Sequence, residues 1–172
     1  MKEKGSCFLV EWEIRKAQPE EINQIQDVAR TSWNTTYEGV IPEKIQENFL
    51  NNAYSSINLI KRIESTLFLI AKVNERVVGF ANFSDSGSEN QVELTAIYLH
   101  PAYQHLGIGS ALLETGLNML GTAKKVYVDV EKENHIGRNF YQKKGFKIVE
   151  EFDDVFEGHA LKTVRMIANL DK

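Results

Sequence analysis

The chain has 172 residues and is short of several things that would restrict its reading. It has one cysteine, Cys7, so no internal disulfide can form, and a reducing, cytoplasmic compartment is expected. His100, His105, His135 and His159 show no metal-ligand spacing with each other or with Cys7, so no metal is expected. Cationic excess is missing as well. Twenty Lys and Arg against 24 Asp and Glu leave a net charge of −4, which argues against general nucleic-acid binding through neutralised phosphates. There is no long apolar run: the one at residues 7–10 stops at Glu11, too short for a secretory core or a membrane span. Prolines are few, at 19, 42 and 101, and no Gly/Ser-rich linker or repeat divides the chain. A single domain over residues 1–172 is expected, with residues 1–8 as a loose end and the soft stretch 84–90 as a hairpin loop.

Hydrophobic residues make up 42% of the chain, enough for one core that buries on the order of 70% of the unfolded surface. Residues 11–16 alternate as a half-buried strand. Pro19-Glu20-Glu21 opens a helix expected over residues 19–33, because Pro suits a first helical turn and carboxylates favour its positive end. Pro42 starts a second helix, and residues 56–63 form a third. Strands are expected at 66–73 and 77–84, joined through Asn74-Glu75-Arg76, and at 91–99. A helix over 109–120, a strand at 125–130, a helix over 134–144 and strands at 146–151 and 161–168 complete the order. That succession predicts an α/β (α+β) layered fold, a mixed sheet with helices on both faces. Glu150, Glu151, Asp153, Asp154 and Glu157 read as a solvated loop able to attract a cation.

Chemistry concentrates after the strand at 91–99. His100-Pro101-Ala102-Tyr103 leads to Gln104-His105-Leu106-Gly107-Ile108-Gly109 and then to a helix. Glycine allows the tight turn, and the first amides of a helix have no intrahelical acceptor, so a diphosphate would find N–H donors at the positive end of the helix dipole. A Walker loop is excluded because Gly-Lys-Ser/Thr is absent. A dinucleotide fingerprint is excluded because Leu112 stands where its third glycine belongs.

Gln104-x-x-Gly107-x-Gly109 after Tyr98-Leu99-His100-Pro101 resembles the acetyl-CoA motif of the GNAT acetyltransferases. A second segment, from Val126-Tyr127-Val128-Asp129-Val130 through Asn134, Gly137-Arg138-Asn139-Phe140-Tyr141 and Gly145-Phe146, is similar to that family's Asn-x-x-Ala/Gly-x-x-Phe-Tyr-x-x-x-Gly-Phe. The resemblance covers about residues 91–147. It implies a splayed mixed sheet and acetyl-CoA as cosubstrate. The amides of Gln104, His105, Leu106, Gly107, Ile108, Gly109 and Ser110 would hold the pyrophosphate, and the main chain of Ile97, Tyr98 and Leu99 would pair with the pantetheine arm. Asn134 would bond that arm, with Arg138 and Phe140 on the same cofactor-facing segment, and Tyr141 would protonate the departing thiolate. Many relatives are homodimers, which makes a homodimer the expectation.

An acceptor ammonium, with a pKa near 10, must lose a proton before its nitrogen attacks. Glu93 occupies the position where several family members keep a catalytic glutamate, and otherwise it is a strand residue paired with a Lys or Arg. Asn134 as a helix cap and Tyr141 as a surface-reaching helix residue are the corresponding structural alternatives. Trp33 and Tyr37 lie in a segment that resembles the acceptor wall of bacterial relatives, and at i, i+4 spacing they equally suit a core. The resulting expectation is direct acetyl transfer to a primary amine, foremost a polyamine. A protein or peptide α-amine is the runner-up, and a non-catalytic acyl-CoA sensor is a third reading.

Overall fold

The computed structural model describes residues 10–85, 87 and 90–170. The expectations for Cys7 and for a loose end at residues 1–8 fall outside the described residues, as does part of the 84–90 loop. Seven strands form one sheet in the order β1-β2-β3-β4-β5-β7-β6. They are β1 (Glu13–Lys16), β2 (Leu67–Val73), β3 (Arg76–Asp85), β4 (Gln91–Leu99), β5 (Lys125–Glu131), β6 (Lys147–Phe156) and β7 (His159–Asn169). Every neighbouring pair is antiparallel except β4–β5, which is parallel. A parallel pair needs a crossover, and here it contains the helix α4 (Ile108–Met119).

The turn from β2 to β3 is tighter than the three residues expected. Asn74 and Glu75 alone make it, both at positive φ (47° and 64°), as a two-residue hairpin with right-handed twist requires. β2 and β3 are apolar almost throughout because both of their faces are covered. Leu69, Ala71, Val78, Ala81 and Phe83 pack with α4 on one face. Phe68, Ile70, Val77 and Phe80 pack on the other with α1 (Ile22–Tyr37), α2 (Glu43–Ala53) and α3 (Ser56–Ser65). Each such side chain contributes about 1.5–3 kcal/mol on burial.

The first helix departs from the expected 19–33. Pro19–Glu21 is a separate 3-10 turn, fixed by Glu21, whose carboxylate accepts from the Gln18 amide (2.9 Å) and pairs with Arg15. α1 then continues through Tyr37, a full turn beyond Trp33. Thr35, a weak helix former, is accommodated by its own hydroxyl, which donates to the Thr31 carbonyl (2.9 Å). Buried Gln46 of α2 donates to the carbonyls of Tyr37 (3.1 Å) and Ile41 (2.8 Å), satisfying the end of α1 and holding Tyr37 in place.

The acidic run is strand rather than loop. Glu150, Glu151, Asp153 and Asp154 belong to edge strand β6, and Glu157 sits at positive φ in the β6–β7 turn. Cross-strand charge explains the difference: Glu150 lies 3.9 Å from Arg165, Asp153 pairs with Lys162 (2.7 Å), and Glu151 pairs with Lys132 from the turn after β5. These carboxylates are therefore largely answered within the hairpin and its neighbour.

One irregularity shapes the molecule. Along β3–β4, Phe83 pairs with Leu94 but Asn82 pairs with Ala96, so Thr95 is an extra residue whose hydroxyl donates to the Asn82 carbonyl (3.0 Å). Such a bulge bends its strand and increases the twist. β4 pairs with β5 only at Gln91–Lys125, Val92–Val126 and Glu93–Tyr127, and beyond that point the strands separate. β4 keeps β3 and β5 keeps β7, up to Glu131, so each open edge faces the gap with no ladder partner.

Candidate active site

At the far end of the split, β4 runs through His100 and the 3-10 turn Pro101–Tyr103 into α4. His105 and Gly107 both take positive φ (62° and 88°). The Gly107 conformation costs an L-residue roughly 1–2 kcal/mol, which is why glycine stands there. Ala111 is the first α4 amide with an acceptor, the Gly107 carbonyl at 3.0 Å. Among the described residues the amides of 106–110 have none, so this loop presents a row of donors at the positive end of a twelve-residue helix. Gln104 departs from expectation, since its amide already donates to the Pro101 carbonyl (3.3 Å). Gly109 sits in close packing: a Cβ there would lie 3.2 Å from Leu99 and 3.6 Å from Phe140. Leu99, Gly109 and Phe140 thus lock β4, α4 and α5 (His135–Lys143) together around the loop.

Asn134 caps α5, its Oδ1 accepting from the Gly137 amide (2.9 Å). The cap role is therefore present, and the same side chain is directed at the Tyr37 hydroxyl. Arg138 turns back on the preceding turn, with Nη1 donating to the Lys132 carbonyl (2.8 Å), while its buried Nε has no partner among the described residues. Tyr141 is buried at 7% exposure against Phe140 and Phe146. Burial, and after it the nearby Tyr98, pushes its phenol well above the ordinary value, so the hydroxyl keeps its proton at neutral pH.

Tyr37 reaches the same place from the other side of the sheet. Burial raises its phenol first, then Tyr98 and Tyr141 add to the shift, Asn134 opposes it, and Glu131 adds a smaller contribution. Tyr141 comes from the α4 and α5 face and Tyr37 from the α1 face. Side chains from opposite faces meet like this only where a sheet is open, and here it opens between β4 and β5. Trp33 is core, 4.6 Å from the Tyr37 ring and 4.4 Å from Phe49, and stacks on Phe156 of β6 at 5.7 Å. Its indole Nε1 is directed at the Tyr98 hydroxyl, outside hydrogen-bond geometry, and has no partner among the described residues. Trp33 and Tyr37 are therefore core residues, as their i, i+4 spacing allowed.

Glu93 lies at the other, closed end of the junction. It has no Lys or Arg partner among the described residues, and instead accepts a hydrogen bond from the Tyr127 hydroxyl at 2.9 Å. Burial and that carboxylate push the Tyr127 phenol up to about 12. Sequence reasoning passed over Tyr127 and Glu131. Strand alternation was the available signal, since with Val126, Val128 and Val130 in the core, residues 127, 129 and 131 must face the other way. Two surface cavities, of about 320 and 540 Å³, lie elsewhere: one beside α1 and α2 at Gln26 and Arg30, one at the β3–β4 end near Asp85 and Thr122.

A split parallel pair, donor amides at the start of the crossover helix and a buried neutral phenol inside the split together describe an acyl-transfer site. The pattern of the acetyltransferase (GNAT) family matches residues 22–146, and the chain belongs to that family, as an acetyltransferase with its layered α/β fold. It is 34% identical over 146 residues to the spermidine N(1)-acetyltransferase of Thermoplasma acidophilum, covering 79% of this chain and 88% of that one. To the N-alpha-acetyltransferase 50 of Danio rerio it is 35% identical over 86 residues, 47% of this chain and 51% of the other. Among solved structures, the paiA N-acetyltransferase from Thermoplasma acidophilum in complex with coenzyme A superposes with a TM-score of 0.83 at 29% identity, over 93% of this chain and 99% of that one. No helix among the described residues is long and apolar enough to cross a membrane.

Proposed function

We propose that the chain transfers an acetyl group from acetyl-CoA directly to a primary amine of a small polyamine, with no covalent enzyme intermediate. The observation that carries this reading is the buried, protonated Tyr141 hydroxyl inside the β4–β5 split. Acetyl-CoA supplies the acyl thioester that an amine nitrogen attacks. The free amides of residues 106–110 suit its diphosphate, the open edge of β4 at Ile97, Tyr98 and Leu99 suits its pantetheine amides, and the Asn134 Nδ2 is one further donor beside that edge. Tyr141 holds a proton at Oη for the departing sulfur. Glu93, on the acceptor face beside the start of the split, takes the ammonium proton through water.

A polyamine is favoured by the likeness to the spermidine N(1)-acetyltransferase. The partial likeness to an N-alpha-acetyltransferase supports a peptide amine as the second reading. Cytoplasmic location and a homodimer complete the proposal. The sequence's lone cysteine supports the first, and edge strand β6, with Val155 73% and Val149 56% exposed, supports the second. The test is CoA release across a panel of polyamines, alkylamines and peptides. Turnover of spermidine well above peptides is expected, and tight CoA binding with no turnover of any amine would overturn the reading.

A further inference from the structure

Three carboxylates bear on the acceptor face of the β4–β5 junction, and they are not equivalent. Asp129 is held by Arg165 through two bonds, Nε to Oδ1 at 2.8 Å and Nη2 to Oδ2 at 2.7 Å, so its charge is matched. Glu93 is bound by the Tyr127 hydroxyl at the closed end. Glu131 differs from both. It ends β5 in the open half, beyond the last residue paired to β4. Alternation turns it away from Val130 and α4 towards α1, where it acts on the buried Tyr37 hydroxyl. Its carboxylate accepts from the Glu133 amide (2.8 Å), with the Asn134 and Lys132 amides of the same turn also directed at it, and no Lys, Arg or His lies within ion-pairing distance among the described residues. The adjacent Lys132 is committed to Glu151. Burial holds the Glu131 carboxyl above its usual range, the condition of a half-desolvated carboxylate that lacks a counter-charge.

Geometry adds a length. Glu93 stands opposite Tyr127, and Glu131 is four residues further along β5, roughly 13 Å at the rise of a strand. The two carboxylates thus bracket the split on one face, a span that suits an extended linear polyamine and exceeds a short monoamine. Between them on β5 lies Asp129, already paired with Arg165.

We infer that Glu131 is a specificity-determining residue that receives the distal ammonium of a linear polyamine while the proximal nitrogen is deprotonated at the Glu93 end. This rests on the amine acetyltransferase reading above and names how that site tells a polycation from a monoamine. The test compares spermidine with n-butylamine on wild type, Glu131→Gln and Glu131→Asp. Gln retains the oxygen that accepts from the Glu133 amide and removes only the charge. The expected result for Glu131→Gln is a fall of about tenfold or more in the preference for spermidine over n-butylamine, as a charge-assisted bond is lost. That fall should come through the KM for spermidine, with the KM for n-butylamine and the Kd for CoA unmoved, and Asp should restore part of it. An unchanged preference in Glu131→Gln overturns the inference, as does an equal loss of kcat with both amines, which would place Glu131 in the chemistry instead. Wild type that binds CoA and acetylates neither these amines nor any in the panel overturns the functional reading, and this inference falls with it.

Discussion

The two ends of the β4–β5 junction are built from the same strands and do opposite things. At the closed end, ladder pairing at residues 91–93 and 125–127 brings Glu93 to Tyr127 in a bond that any well-formed sheet can make. At the open end the same strands offer bare edges, and α1 and α5 push phenols into the gap from both faces. A single inserted residue, Thr95, separates the two regimes. Departure from regular pairing is what admits ligand, so variants at the open end should act on turnover and variants at the closed end on stability.

Tyr141→Phe should break this contrast most sharply. Removal of a positioned general acid typically costs 10²–10⁴ in rate, so kcat should fall by about that factor while the Kd for CoA holds. Single-turnover acetylation together with CoA titration checks it, and near-wild-type kcat would mean that the buried hydroxyl is only packing. Next in size is Gly107→Val. With φ at +88° the substitution strains the loop by about 1–2 kcal/mol and re-aims its amides, so affinity for CoA should drop by roughly tenfold in calorimetric titration. If affinity is unaltered, the diphosphate lies elsewhere.

Gly116→Ala tests the packed half of the comparison. The added methyl would sit 2.2 Å from the Phe83 ring, in the core between α4 and β3, and overpacking of this kind costs about 1–3 kcal/mol. Thermal denaturation should show a melting temperature lower by about 2–4 °C per kcal/mol, with kcat on spermidine within about twofold of wild type at a permissive temperature. A lost kcat in a variant that remains folded would show that the two regions are coupled.

Much of this division was legible in the chain. The order of strands and helices follows from period, turn residues and helix-start chemistry, all of which are local, and the expected roles of the 104–110 loop and the Asn134 to Tyr141 segment come from their resemblance to the GNAT motifs. What escaped was long-range. Asp153 and Asp154, beyond the strand expected to end at Glu151, look like loop residues until Lys162 is brought beside Asp153 by pairing that sequence alone does not reveal. Tyr127 as partner of Glu93 depends on a parallel register across 34 residues. Glu131 stands out only once the bulge at Thr95 has opened the sheet next to it, and a one-residue bulge leaves no mark in hydrophobic alternation strong enough to read.

Tyr127→Phe bears directly on the closed end. The Tyr127 phenol, raised from 10 to about 12, is neutral in the folded chain at pH values where the unfolded chain has ionised it. Its contribution is therefore fully present below pH 10 and is lost as pH rises from 10 to 12. Wild type should therefore melt above the Phe variant at pH 7, and the gap should narrow as pH rises across that window. Catalytically, a hydrogen bond to a carboxylate is worth about 1.5–3 kcal/mol at most, so if Glu93 accepts its proton through water, kcat should change by tenfold or so. An unchanged kcat would leave Glu93 and Tyr127 as a purely structural clasp and move the proton acceptor to the open side of the bulge, where Glu131 is the carboxylate without a cation.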